Sequence, residues 1–159
     1  MDEAPTEQGG NEVDDAFRAV LEGLRTTLPG VQVLFAFLLI FPLQTSFDRL
    51  SDPELVAFNV AFFGSALASI LLIAPSAHQR IRAPISGVKR RSARHLQITV
   101  RITIVGTIIF AVALAAAVYL VSSLVLSEIF AILATIAVTA LLGWSWFFVP
   151  LVTFARNKQ

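Results

Sequence analysis

A short basic segment, residues 78–101, lies between two long apolar regions and carries seven of the chain's twelve lysine and arginine residues, with no acid among them. A cationic connector between hydrophobic segments stays on the cytoplasmic side of a membrane, so it sets the orientation of the helices that flank it. We call this segment the basic hinge. Its cations are Arg80, Arg82, Lys89, Arg90, Arg91, Arg94 and Arg101.

The composition favours a protein that crosses a membrane several times. Hydrophobic residues make up 56% of the 159 residues, and only 14% are charged, against about a quarter in an ordinary soluble domain. The charges also avoid the long apolar stretches. The absence of cysteine excludes a disulfide framework, a thiolate metal site and a thiol nucleophile.

The predicted fold class is all-α, an integral membrane four-helix bundle with an N-terminal cytoplasmic amphipathic helix. Residues 1–28 form an acidic tail and that helix, and residues 29–159 form the four-span bundle with its hinge at 78–101. The predicted spans are 31–47, 54–74, 96–121 and 126–154.

Prolines and a capping signal set the predicted ends of these helices. The amphipathic helix, starting at Val13, is expected to end at Pro29-Gly30, and Pro75 is expected to stop the second span. Pro42 is expected to kink the first span. Ser51 or Asp52 is predicted to cap the N-terminus of the second span.

Three spans carry small residues four positions apart, which lets helices approach closely in lipid. We interpret these series as packing seams of a compact bundle or oligomer; the alternative is a pore lined by serine and threonine. They are Ala57, Ala61, Ser65, Ser69; Thr103, Thr107, Ala111, Ala115; and Ala131, Thr135, Thr139, Gly143.

The spans offer little for catalysis or proton coupling. Their only charged residues before the C-terminal tail, Glu54, Arg101 and Glu128, lie within a turn or two of a span boundary. The deepest polar side chains, Gln32, Gln44 and Asn59, do not titrate. His78 and His95 have no further metal ligands close by in the sequence. Hydrolase, metalloprotease and phosphate-loop motifs are missing. We therefore expect no enzyme activity and no cofactor.

The basic hinge is expected to bind anionic lipid headgroups, at about 1 kcal/mol per basic residue near the surface. The same cations could instead hold the acidic arm before the first span, through Asp14, Asp15 and Glu22. Nucleic acid is not an expected partner, because bilayer flanks the hinge. The candidate cations for lipid or arm are Arg82, Lys89, Arg90, Arg91 and Arg94.

Three segments, LRTTLPGVQVL at 24–34, FPLQTSF at 41–47 and LIAPSAHQR at 72–80, resemble a family of small bacterial four-span membrane proteins of unknown function. Members of that family often carry the label sodium:proton antiporter, although these spans lack the titratable midplane group that proton coupling needs. The resemblance implies functional importance for Arg25, Gly30, Gln32, Pro42, Gln44, Phe47, Pro75, His78 and Arg80.

Two functions stay open. The first is a non-catalytic module of the cytoplasmic membrane, with both termini in the cytoplasm, that associates with itself or with a partner. The second is an oligomeric small-ion channel or transporter. Arg25 with Gln32 and His78 with Arg80 are predicted to form one polar site at the cytoplasmic ends of the first two spans. The candidate polar residues are Arg25, Gln32, Gln44, Asn59, His78 and Arg80.

Overall fold

The computed structural model describes residues 5–82 and 93–148, and every element in these two ranges is helical. The predicted all-α four-helix bundle is therefore confirmed. The four α-helices are α1 Pro5–Ile40, α2 Asp52–Arg82, α3 Ala93–Val125 and α4 Glu128–Gly143. Short 3-10 turns at Phe41–Leu43 and Phe47–Arg49 connect α1 to α2, and a π-helical turn, Trp144–Phe148, continues α4.

Each of the four helices is long and apolar enough to cross a membrane. This finding indicates a membrane protein. The predicted fourth span, 126–154, extends beyond the described residues, which end at 148. The candidate spans are Asp15–Leu43, Asp52–His78, Leu96–Val125 and Glu128–Trp146.

The helices run alternately up and down, which gives the bundle two ends. At one, which we call the loop end, α1 and α3 finish while α2 and α4 begin. At the other, the hinge end, α1 and α3 begin and α2 finishes. The middle of the basic hinge, residues 83–92, lies outside the described residues.

Helices α2 and α3 pack closely because small residues line their contact. Ala61, Ala68 and Ala113 are fully buried. A Cβ atom added to Gly64 would lie 3.0 Å from the Cβ of Ala113, and one added to Gly106 would lie 2.9 Å from a methyl carbon of Leu72. The small-residue seam predicted for α2 is thus used inside the bundle, where it allows close backbone approach.

Helix α1 packs against α2 and α3 through buried residues that recur every seven positions. Phe17, Leu24, Val31 and Leu38 are at most 5% exposed, and the last three belong to two clusters with α2 and α3 residues. A seven-residue repeat keeps one stripe of a helix facing its neighbours over a long distance. We call these four residues the inward seam of α1.

Two predicted helix ends are wrong, because α1 continues through Pro29-Gly30 and α2 continues through Pro75. A proline inside a helix removes one backbone donor, but tertiary packing holds both helices at these points. Val31 and Leu72, close to the two prolines, have no exposed surface. Pro42 also differs from the prediction, since the α-helix ends at Ile40 and Pro42 lies in a 3-10 turn.

The continuous α1 also crosses the predicted boundary at residue 28. It begins at Pro5, eight residues before the predicted start at Val13. The division into a cytoplasmic arm and a membrane bundle stays a prediction about where the membrane surface lies. At 36 residues, α1 is about 54 Å long at 1.5 Å per residue, so it exceeds the ~30 Å hydrocarbon core.

An aromatic cluster fastens the loop end. The ring centroid of Phe58 on α2 lies 5.7 Å from that of Phe41, 5.2 Å from that of Phe47 and 5.8 Å from that of Phe62. Stacked and edge-on contacts at such distances are favourable beyond simple burial. The cluster ties the α1–α2 connection to the body of the bundle.

Candidate functional site

A pocket of about 370 Å³ lies at the loop end, where three helix termini meet. The start of α2, the last two turns of α3 and the start of α4 form its wall. Its lining mixes two carboxylates with hydroxyl groups, in contrast to the apolar spans beside it. The lining residues are Ser51, Pro53, Glu54, Tyr119, Ser123, Glu128 and Ala131.

The α2 side of the pocket is fixed by a helix cap. The backbone N–H and the hydroxyl of Ser51 both donate to Oε2 of Glu54, each at 2.8 Å. The N–H of Leu55 donates to the carbonyl of Ser51 at 2.9 Å. The predicted cap at Ser51 is therefore confirmed, and Glu54 reaches back to it as in a capping box. This bonding holds the Glu54 carboxylate at the pocket edge.

The α3 and α4 sides bring in residues that the sequence did not connect with Glu54. Tyr119 and Ser123 are one turn apart on α3, and the Ser123 hydroxyl donates to the carbonyl of Leu120 at 2.9 Å. Glu128 is the first residue of α4 and is exposed. The sequence did contain a signal for this grouping: Glu54 and Glu128 both lie in the first turn of a helix that starts at the loop end.

Two carboxylates around one pocket favour cations over anions. The described ranges hold no group of three or more histidine, cysteine, aspartate or glutamate side chains that could bind a metal ion. Electrostatic attraction of a mobile cation is therefore the chemistry that this pocket supports.

The predicted polar residues lie apart from this pocket, on the outside of the bundle. Five of them are exposed: Arg25, His78 and Arg80 lie toward the hinge end, and Gln32 and Asn59 lie nearer the loop end. Of the five, only Arg80 is outside a candidate span. Gln44 lies in the α1–α2 connection, not inside a span as predicted, because α1 ends at Ile40.

No hydrogen bond or ion pair joins these six predicted residues in the part of the chain that the structure describes. The polar site predicted from Arg25, Gln32, His78 and Arg80 is therefore not assembled by direct contacts there. Each of the six side chains is available to water, lipid or another protein.

The cationic residues of the hinge are only partly described. Arg94, in the first turn of α3, is exposed. Lys89, Arg90 and Arg91 lie outside the described residues, and the side chain of Arg82 is not described. On the arm, Asp15 and Glu22 are exposed and form no ion pair among the described residues. The predicted arm–hinge contact thus stays a prediction.

Several hydroxyl groups inside the spans form hydrogen bonds within their own helices. Each of five donates to a backbone carbonyl three or four residues earlier, at 2.8 to 3.0 Å. A hydroxyl that is bonded in this way uses its proton within its own helix, so it is not available as a donor to a neighbouring helix. The five residues are Ser65, Ser69, Thr103, Thr107 and Thr135.

Comparison with known proteins places the chain in a family. Residues 6–150 match a family of unknown function, DUF6328, and because the match covers most of the chain, the chain belongs to this family. The predicted membership of a family of unknown function is confirmed, and the match also includes α3 and α4, beyond the three segments that carried the resemblance. Searches of curated proteins and of solved structures found no match.

Proposed function

We propose that the protein is a non-catalytic, self-associating module of the cytoplasmic membrane. The observation that carries this proposal is a pair of side-chain amides, Gln32 on α1 and Asn59 on α2, that face outward within candidate spans. Neither amide makes a hydrogen bond within the described residues.

The position of these amides makes an unpaired state costly. Gln32 lies about 12 Å along the helix axis from the end of α1 at Ile40, and Asn59 about 10 Å from the start of α2 at Asp52. If the hydrocarbon core begins near these helix ends, both amides lie inside the hydrocarbon core. Lipid tails offer no hydrogen bond, so an amide at this depth is stabilised by a polar group on a neighbouring helix.

The remaining features agree with a binding module better than with an enzyme. The central parts of the four candidate spans, residues 26–43, 55–77, 102–125 and 129–146, carry no Asp, Glu, Lys or Arg. Five hydroxyls inside the described spans donate to carbonyl groups of their own helices, as described above. The apolar α4 packs mainly on α3 and leaves large residues such as Phe130 and Ile136 exposed, which suits contact with lipid or protein.

The same proposal includes the orientation and the lipid contact. Arg80, Arg94 and Arg101 are exposed toward the hinge end, and basic residues of short connectors favour the cytoplasmic side. An even number of spans then leaves both termini in the cytoplasm. The hinge would lie against the anionic cytoplasmic leaflet and bind its headgroups.

Self-association is tested by counting subunits in lipid vesicles, from photobleaching steps of a fluorescent label fused at the C-terminus. We expect wild type to form oligomers, and Gln32→Leu with Asn59→Leu to shift the population toward monomers. Interhelical hydrogen bonds in membranes are worth about 0.6–2 kcal/mol, which corresponds to about a 3- to 30-fold weaker association per amide.

The matched control is Val33→Leu with Val60→Leu, two exposed apolar positions next to the amides. This control should associate like wild type. A wild-type protein that stays monomeric at every lipid dilution would contradict the proposal, and equal association of amide and control variants would show that the amides do not carry it.

The loop-end pocket favours the second candidate, an oligomeric small-ion channel or transporter, because Glu54 and Glu128 could concentrate cations at one end of the bundle. This candidate predicts cation flux in vesicles that falls in Glu54→Gln with Glu128→Gln. Asp48→Asn, on the exposed connection outside the pocket lining, is the control. Flux equal to that of empty vesicles would exclude this function.

A further inference from the structure

A second stripe runs along α1 and faces away from the bundle. Its residues are spaced alternately by three and four positions, and all of them are exposed. The whole stripe lies within the candidate span Asp15–Leu43, with its charged residues in the part toward the hinge end. We call it the outward seam, and it consists of Asp15, Arg18, Glu22, Arg25, Pro29, Gln32, Ala36 and Leu39.

We propose that a second copy of this chain docks on the outward seam, with the two α1 helices side by side and parallel. This inference rests on the self-association proposed above and names its interface. Copies inserted in the same orientation are related by a twofold axis along the membrane normal, so residues of equal depth meet. Alternating steps of three and four are the spacing that two long helices need to stay in contact.

The charge pattern of the seam is complementary to itself. Its four ionic residues alternate in sign along the helix, from Asp15 to Arg25, and none forms an ion pair within the described residues. In a parallel pair, Glu22 of one copy lies opposite Glu22 of the second copy, which has the same charge. Arg18 and Arg25 of the second copy lie about one turn to either side and have the opposite charge. Arg18 and Glu22, the two inner residues of the series, therefore each have more oppositely charged than like-charged neighbours in the second copy.

The membrane part of the seam supports the same contact. Gln32 has both a donor and an acceptor, so two copies of it can bond each other across the twofold axis. Pro29 has no N–H, which leaves the carbonyl of Arg25 without its usual helical donor. Ala36, one turn beyond Gln32, is small enough for the two helices to approach closely about 6 Å from the end of α1 at Ile40.

Single cysteines test the geometry directly, because the natural chain contains none. Arg25→Cys, Gln32→Cys and Ala36→Cys lie on the outward seam. Three exposed positions on other faces are the controls: Phe37→Cys on α1, Phe63→Cys on α2 and Ile136→Cys on α4. Under a membrane-permeant oxidant in vesicles, we expect the seam variants to form covalent dimers at least about tenfold faster than the controls.

The possible outcomes distinguish failure of the α1 interface from failure of the proposed self-association. Crosslinking at Phe63 or Ile136 in place of the seam would place the contact on α2 or α4, so self-association would stand and the α1 interface would be overturned. Oligomers by photobleaching with no crosslink at any seam position would overturn it as well. Wild type that is monomeric by photobleaching would refute the proposed function itself.

A charge exchange provides an independent readout. Glu22→Arg and Arg25→Glu each place like charges on neighbouring levels, so each variant alone should associate several-fold more weakly than wild type. Mixed together, the two variants have opposite charges at both positions. Fluorescence energy transfer between them should exceed that within either variant at least about fivefold at low salt, and the preference should fall at high salt. Random mixing at low salt would overturn the proposed interface.

Discussion

Glycine at position 106 sets how closely α3 approaches α2. An added Cβ would meet the Cδ2 and Cγ atoms of Leu72 at 2.9 and 3.0 Å and the Cβ of Leu71 at 3.2 Å. Leu72 has no exposed surface, so its side chain has no open space into which to move. The absence of a side chain at this position is therefore part of the helix contact, because any larger residue separates the two backbones.

We expect Gly106→Val to lower the stability of the bundle by about 1–3 kcal/mol, the usual cost of overpacking a filled core. The measurement is thermal unfolding in detergent, followed by circular dichroism. Gly143→Val is the matched control, because nothing lies within 4 Å of the Cβ that would be added there. A midpoint for Gly106→Val that equals that of the control would contradict a tight contact at this position.

Residue-level prediction from sequence succeeded where the signal was local. Ser51 followed three positions later by Glu54 is a capping pattern, and the structure has that cap. The contact of Gly106 with Leu72 was not predictable, since it depends on the axial register of two helices. The outward direction of Gln32 and Asn59 likewise depends on which faces of α1 and α2 the bundle uses.

At the scale of elements, the prolines show how tertiary packing overrides a local stop signal. The sequence predicted the number and order of the candidate spans correctly, because long apolar runs are a strong signal. It placed helix ends at Pro29 and Pro75, where the structure has continuous helix. Pro75 is buried and lies three residues from the fully buried Leu72. Neighbouring helices can hold such a turn in place although one backbone bond is lost.

The α1–α2 connection should depend on the aromatic cluster more than on its short 3-10 turns. We expect Phe58→Ala to lower stability by about 3–5 kcal/mol, because it empties a buried site and removes ring contacts with Phe41, Phe47 and Phe62. Phe63→Ala is the control, since Phe63 is 64% exposed and its only described ring contact is with Phe62. Unfolding in detergent that is equal for the two variants would show that the cluster does not fasten this end.

At the scale of the whole molecule, the two ends of the bundle differ in charge. The loop end holds Glu54 and Glu128 in one pocket, and the hinge end exposes Arg80, Arg94 and Arg101. The sequence predicted the basic end, because its cations are neighbours along the chain. It did not predict the pocket, whose lining comes from three helix termini that only the up-and-down path brings together. A charge difference between the two ends of a membrane bundle favours insertion in one orientation.

The orientation can be tested with two cysteines that leave every lysine and arginine in place. Asp48→Cys is exposed in the second 3-10 turn at the loop end, and His78→Cys is exposed on α2 toward the hinge end. In intact cells, a membrane-impermeant maleimide should label Asp48→Cys only. Labelling of His78→Cys should require permeabilised cells, because the proposed orientation places the cationic hinge in the cytoplasm.

Other labelling patterns of these two cysteine variants would contradict the proposed orientation. Labelling of His78→Cys alone from outside would place the hinge outside the cell and overturn both the orientation and the proposed contact with the cytoplasmic leaflet. Partial labelling of both from outside would indicate insertion in two orientations, and the parallel pairing of α1 helices would then lose the premise that all copies share one direction. A variant with the hinge cations changed to glutamine should produce that mixed pattern, because it removes the charge difference that selects one direction of insertion under the proposed orientation.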